Sequence, residues 1–367
     1  LEAELTSPKI VSKAFAVDRR RPERSFVQAQ LRRRLVLPVL LLILFVSVVV
    51  SISIGVVRVP LSDLFAALFE RHALTETQRT ILFDIRLPRV LASAIVGAAL
   101  ALSGLMFQGL FRNPLADPYI IGASGGAALG ACIGIVFLGQ LSLFGFSATA
   151  MLAFAGAVLT MIIVYALARA NGRTSGVTLL LAGFAIGTML ANSTYLFEIF
   201  DPNPAFGQRI VLAWLHGSVG TPSWRQFAVT ALLFTLACLC SLPLMRSLNT
   251  LALGDEYAHQ LGVHVERTRI AIILVASMLT AIAVSLGGLI GFAGLIVPHI
   301  VRMIAGANHV RLLPITVISG AIFLILADTL ARIVFAPSEM PVGIIMVVLG
   351  GPFFLYLLRK HKRGYTL

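Results

Sequence analysis

Residues 35–57 read LVLPVLLLILFVSVVVSISIGVV, 23 consecutive positions without a charge. A helix needs about 20 apolar residues to cross the hydrocarbon of a bilayer, so this stretch predicts a membrane span. The same arithmetic extends outward along the chain. Residues 90–111 give a second span. Residues 118–168 are uncharged and long enough for two, with Gly139 and Gln140 as the break. Residues 174–197 and 226–245 give one each. Residues 270–301 are too long for one span; Gly287, Gly288 and Gly291 offer a turn, after which a second helix runs through Pro298 towards Ile304. Residues 312–334, interrupted by Asp328 and Arg332, and residues 340–358 close the series. The expected fold is an all-α polytopic membrane protein with ten transmembrane helices over residues 35–360 and both termini on one side.

Composition agrees. Hydrophobic residues make up 58% of the chain and charged residues 12%, against about 25% charged in soluble domains. A water-soluble chain this apolar could not hide its surface. The formal charge of +13 does not point to nucleic acid, because the basic residues lie between long uncharged runs instead of along one stripe with interleaved aromatics. They report topology. With the N-terminus cytoplasmic, 21 of the 29 Lys and Arg residues fall on the cytoplasmic side, as the positive-inside rule requires. Residues 1–34, with nine basic and four acidic residues and Pro8 and Pro22, read as a disordered cytoplasmic extension and not as a signal peptide. Residues 361–367 read as a basic cytoplasmic tail. Cys132, Cys238 and Cys240 all fall in apolar runs, which makes them small core residues and neither a disulfide framework nor a metal site.

The two halves echo each other. Ser103-Gly104-Leu105 precedes Pro114, and Gly287-Gly288-Leu289 precedes Pro298, at an offset of 184. The spans concerned run in opposite directions, so the halves can form an inverted repeat.

Four stretches carry a more specific signal. The first is Arg86-Leu87-Pro88-Arg89, leading to residues 96–104, VGAALALSG. The second is Arg112-Asn113-Pro114, leading through Asp117 to Gly122-Ala123-Ser124-Gly125-Gly126. The third is residues 291–302, GFAGLIVPHIVR. The fourth joins Leu326-Ala327-Asp328, Pro341-Val342-Gly343 and Gly351-Pro352-Phe353-Phe354. In this order they resemble the permeases of type II ABC importers for ferric siderophores, haem and cobalamin, over roughly residues 35 to 360. The resemblance implies a homodimer of ten-helix subunits in the bacterial inner membrane, two cytoplasmic ATPase subunits and an extracytoplasmic binding protein. It implies no cofactor on this chain, with ATP and magnesium on the partner ATPase, and no partner nucleic acid.

Candidate site residues follow, each with a plainer alternative. Pro88 suits the first turn of a helix, so Arg86 and Arg89 would lie together at a helix start, against an unfavourable dipole. Something anionic must offset them: lipid headgroups, or, by the resemblance, carboxylates of a docked binding protein, with Arg332 as a third docking residue. For Arg332 the alternative is an intrahelical ion pair with Asp328, four residues earlier. Gly254, Asp255, Ala258, Leu261 and Gly262 outline a two-turn amphipathic helix between glycines. The resemblance makes it the ATPase-coupling helix, with Ala258 and Leu261 sharing a face; a loop helix packed on its own bundle is the alternative. By the same resemblance Thr174, Ser175, Gly176, Val177 and Thr178 lie near the cytoplasmic end of the pathway, in a loop that could gate it. The small residues of 122–130 and 183–187 can line a path or let helices pack closely, and His299 reads as a packing histidine ahead of a haem ligand.

The chain has no G-x-x-x-x-G-K-[ST] loop, so its energy comes from another chain or from an ion gradient, and no catalytic motif marks it as an enzyme. An ion-coupled secondary transporter, built around intramembrane Asp328, is the competing function. The topology has a direct test. Cysteines introduced near Glu76 and near Lys362 should react with an impermeant thiol reagent from opposite sides of the membrane; labelling of both from one side would overturn the ten-span count.

Overall fold

The computed structural model describes residues 20–55, 75–139, 141–143, 145–170, 173–174, 176–200 and 204–362. The described chain is helical almost throughout. Helix α1 is Arg20–Ser53. It is followed by α2 (Glu76–Leu110), α3 (Ala123–Leu138) and α4 (Ala148–Ala168). Then come α5 (Gly176–Glu198), α6 (Pro204–Leu215), α7 (Trp224–Leu251) and the short α8 (Asp255–Gln260). Helices α9 (Val265–Gly287), α10 (Ala293–Ala305), α11 (His309–Ile333) and α12 (Val342–Lys362) complete the bundle. Two-residue antiparallel ladders close the α3–α4 and α4–α5 connections.

Eight of these helices are long and apolar enough to cross a membrane, and α3 and α10 are shorter apolar helices. Together they occupy the ten places where spans were expected, eight at full length and two short. The breaks fall where glycine permits them. Helix α3 ends before Gly139, at φ +51°, and α9 ends before Gly288, at φ +66°. At 1.5 Å per residue, the 13 residues of α10 cover only about 20 Å. Helix α10 is thus a part-span that begins inside the bundle, and Pro298 lies in its interior, not at its start.

Two boundaries differ from the sequence reading. Helix α1 begins at Arg20, so the 20–34 part of the extension is helical and not disordered; residues 1–19 lie outside the described residues. Nucleation is the costly step in helix formation. Once the apolar run has folded in the membrane, the Arg, Gln and Glu that precede it propagate the helix cheaply. Helix α2 begins at Glu76, under a capping box made by Thr75 and Gln78. It passes through a π-helical stretch, Ile81–Arg86, where the Leu87 amide donates to the Leu82 carbonyl. That wider turn admits Pro88, which lacks the N–H an α-helix would use. Arg86 and Arg89 are therefore inside a continuous helix, not at its N-terminus.

Helix α2 is the axis of the fold. From Pro88 to Gly109 all of its residues but Leu91 and Ala94 are buried, with α7, α9, α10 and α11 around it. A hydrophobic driving force between helices is missing in lipid, so close backbone approach must supply the attraction. A Cβ on Gly97 would overlap the Gly320 carbonyl of α11, and one on Gly104 would overlap the Gly294 carbonyl of α10. Polar side chains add fixed links. The Ser103 hydroxyl lies 2.8 Å from both the Ala276 carbonyl and the Thr280 hydroxyl of α9. The Gln108 amide donates to the Gly294 and Leu295 carbonyls at 3.3 and 3.2 Å.

The sequence echo is not an echo of local structure. Gly104 is a mid-helix packing residue, whereas Gly288 is a left-handed helix terminus pressed on the Trp214 carbonyl.

These contacts separate two glycines that look alike in sequence. Gly104→Ala should destabilise the protein by about 1–3 kcal/mol, the usual cost of overpacking. Gly291→Ala, with no atom within 4 Å of the new Cβ and no positive φ, should leave the unfolding temperature unchanged in the same detergent.

Candidate functional site at the two ends of helix α2

One end of the bundle gathers the arginines. Arg86, Arg89 and Arg332 are 6%, 9% and 5% exposed. The Arg89 Nη2 is 3.0 Å from Oδ1 of Asp328, and its Nη1 is 2.6 Å from Oε2 of Glu339. Asp328 is buried, while the Glu339 side chain is half exposed. The Arg332 Nε lies 3.2 Å from the second Asp328 oxygen, close enough for attraction although not aligned as a hydrogen bond. The remaining donors reach helix α1. Arg86 Nη1 donates to the Ile52 carbonyl at 2.8 Å, and Arg332 Nη2 donates to the Ser51 hydroxyl at 2.7 Å and to its carbonyl at 3.2 Å. The last carbonyls of a helix have no partner within it and carry partial negative charge. Two arginines thus cap the C-terminus of α1.

The chain supplies anions of its own for two of the docking candidates: Asp328 stands against both Arg89 and Arg332, and Glu339 against Arg89. The dipole next to Arg86 and Arg332 is a favourable C-terminus, because α2 starts ten residues before Arg86. The i,i+4 pair of Asp328 with Arg332, the plainer alternative, is present. Glu339 carried no signal in the sequence: it stands in an irregular connection far from Arg89 along the chain.

The other end of the bundle carries α8. Gly254 and Gly262, at φ +120° and +82°, bracket it as expected. Asp255 joins three elements. Its Oδ1 lies 2.8 Å from Nη2 of Arg112, just past α2, and its Oδ2 lies 2.5 Å from Nη2 of Arg269 on α9. Arg112 adopts φ +50°, a strained conformation for a side chain of its size. Ala258 is fully buried and belongs to the core, while Leu261 is 66% exposed. The expected shared face of Ala258 and Leu261 is therefore absent. Helix α8 ends at Gln260, so the spacing of three no longer applies at Leu261. Ala258 holds the helix to its own bundle; Leu253, Tyr257 and Leu261 point outward.

Beside α8 lies a cavity of about 410 Å³ whose walls include Phe111, Arg112, Asp255, Arg269, Gly176 and Val177. Of the gate residues, Gly176, Val177 and Thr178 form the first turn of α5 and not a loop, and Thr174 is in the ladder that precedes it. Ser175 lies outside the described residues. The two small-residue runs pack on each other: a Cβ on Gly125 would overlap the Gly187 carbonyl, and one on Gly122 would press the Gly183 carbonyl. Close helix packing is their role. The His299 ring packs against Phe353. No group of three metal-ligating side chains occurs among the described residues.

Between the two ends, the sequence reading missed a link across the bundle. Asp117 accepts a hydrogen bond from the Tyr119 amide at 2.9 Å, and the Ile290 amide donates to the Tyr119 hydroxyl at 3.2 Å. The Asp117 carboxylate also accepts a hydrogen bond from the Phe292 amide. Phe292 sits at φ +65° with its ring where a Cβ of Gly350 would fall. Neither the left-handed phenylalanine nor its anchor is readable from residue spacing.

The whole arrangement has close counterparts. The chain is 43% identical to the cobalamin import system permease protein BtuC of Halobacterium salinarum, covering 78% of this chain and 75% of that protein. It is 38% identical to the hemin transport system permease protein HmuU of Yersinia pestis, covering 92% and 98%. A solved structure described as an inward-facing ABC transporter of the metal-chelate type superposes with a TM-score of 0.76 at 32% identity, covering 88% of this chain and 98% of that one. Residues 42–360 match the description of one transport family across nearly all of the membrane bundle, and on that match the chain belongs to the FecCD transport family.

Proposed function

We propose that this chain is the membrane-spanning permease subunit of an ATP-driven importer of metal chelates, of the class that includes cobalamin, haem and ferric siderophores. It works as a homodimer in the cytoplasmic membrane with both termini inside, and it moves its cargo by alternating access. Two ATPase subunits dock on its cytoplasmic face, and an extracytoplasmic binding protein delivers the chelate to the opposite face. The basic asymmetry of the sequence supports the orientation, since it puts α8 inside and the arginine cluster outside. The competing ion-coupled mechanism needs an intramembrane carboxylate free to load and release a cation. Asp328 is held between two guanidinium groups, which does not favour it.

The observation that carries the reading is α8. Its outer side presents Leu253, Tyr257 and Leu261, each more than 60% exposed, on a connection outside the spans, where lipid does not cover them. An exposed apolar group of this kind marks a protein interface. Buried Ala258 and the Asp255 ion pairs fix it to α2 and α9, so a push on α8 is delivered to the two helices that border the cavity at the start of α5. Replacing Tyr257 and Leu261 together by Asp should abolish co-purification of the ATPase and ATP-driven uptake while leaving expression and thermal stability intact. Undiminished association of the ATPase would sink the assignment.

On the opposite face, docking centres on Arg89 and Glu339. A carboxylate of the binding protein would replace Glu339, the half-exposed partner, and leave buried Asp328 in place. Reversing Arg86 and Arg89 to Glu would then read folding more than docking, because it would set new carboxylates against Asp328 and strip the cap from α1. Glu339→Gln is the cleaner variant. It should tighten binding of the cognate binding protein several-fold in nanodiscs, as expected when an intrachain competitor for a charge-assisted bond is removed. Weakened binding would show that Glu339 is instead part of the docking surface.

A further inference from the structure

Helices α4 and α9 leave an open groove of about 420 Å³ between them, away from the arginine cluster and adjoining the cavity at α8 through Ile273. Its walls are apolar. Val158, Ile162 and Tyr165 form one stripe on α4 at spacings of four and three; Ile270, Leu274 and Met278 form one on α9 at spacings of four. Ile162 and Leu274 are more than half exposed at its mouth. From Ile270 to Met278 the groove runs about 12 Å along the helix axis, a length of hydrocarbon and not of a folded partner.

Each stripe ends on an arginine at the same end of the bundle. Arg169 follows Tyr165 by four residues at the end of α4, and Arg267 precedes Ile270 by three in the first turn of α9. Both are exposed, and neither has a carboxylate partner among the described residues. Their neighbour Arg269 is different: it turns to Asp255 and Glu266. The Tyr165 hydroxyl, three residues before the end of α4, is buried without a hydrogen-bond partner. A buried hydroxyl left unpaired is costly, and Tyr165 lines the groove one helical turn before Arg169.

We infer that this groove holds one acyl chain of an anionic phospholipid whose phosphate is bound by Arg169 and Arg267. Basic pockets between membrane helices at the cytoplasmic boundary take such headgroups, and the apolar floor takes the chain. The Tyr165 hydroxyl stands at the level of the glycerol esters, whose carbonyls can accept a hydrogen bond from it. A zwitterionic choline headgroup fits less well, because its quaternary ammonium meets two uncompensated cations.

The test uses the purified intact protein and two probes, dioleoyl-phosphatidylglycerol and dioleoyl-phosphatidylcholine, at equal concentration in mixed micelles, read by native mass spectrometry. The wild type should retain one phosphatidylglycerol per chain in preference to phosphatidylcholine. Each arginine contributes roughly five-fold, so Arg169→Gln/Arg267→Gln should remove the preference without changing the unfolding temperature in lipid-free detergent. Leu274→Trp, which fills the groove, should release both lipids. Equal retention of the two lipids by the wild type, or an undiminished preference in the double glutamine variant, would overturn the assignment. Both substituted side chains are exposed, so that variant remains decisive even if Leu274→Trp fails to fold.

Discussion

Asp328 is 1% exposed and sits between Arg89 and Arg332. A carboxylate in that position would be prohibitively costly without its cations, and the cations would be costly without it. The group therefore forms as a unit or not at all. It fixes α2 against α11 through Arg89, and α11 against α1 through Arg332 and Ser51. Arg86 adds a second hold on the end of α1. Lipid offers no water to satisfy a helix terminus; here the terminus is satisfied by side chains that the ion cluster has already positioned.

The glycines of α2 complement this. They bring its backbone against the carbonyls of α10 and α11, where no side chain could intervene. Such contacts have little freedom to slide, because a shift of one residue would drive a Cβ into a carbonyl. Charge therefore sets the register at one end of α2, and steric fit sets it through the middle. At the far end Arg112 hands the same helix to Asp255 of α8. The two exposed faces proposed to meet partners are joined by one buried, closely packed rod.

A membrane permease must also leave part of its surface unpacked. Helix α5 is buried on the side where Gly183 and Gly187 meet α3, and it exposes Leu181, Phe184 and Leu196 on the other. The cavity at its first turn is flanked by the Asp255 ion pairs. Movement there would alter charge pairs at the surface and spare the core contacts of α2.

The number of spans, their breaks and the family were legible in the sequence, because they depend on properties of contiguous residues: uncharged length, glycine at the turns, and motifs that keep their order. Helix starts were less legible. The beginning of α2 rests on a capping box and a π-turn that tolerate charged residues, so hydropathy placed it too late and gave Arg86 and Arg89 the wrong end of a dipole. The identity of their counter-ions, the inward turn of Ala258, the pairing of the two small-residue runs and the groove between α4 and α9 were decided only by the tertiary structure. Each joins residues distant along the chain, or depends on which way a helix face turns. One sequence fixes the periodicity of a face; what that face meets is set by how the other helices pack around it.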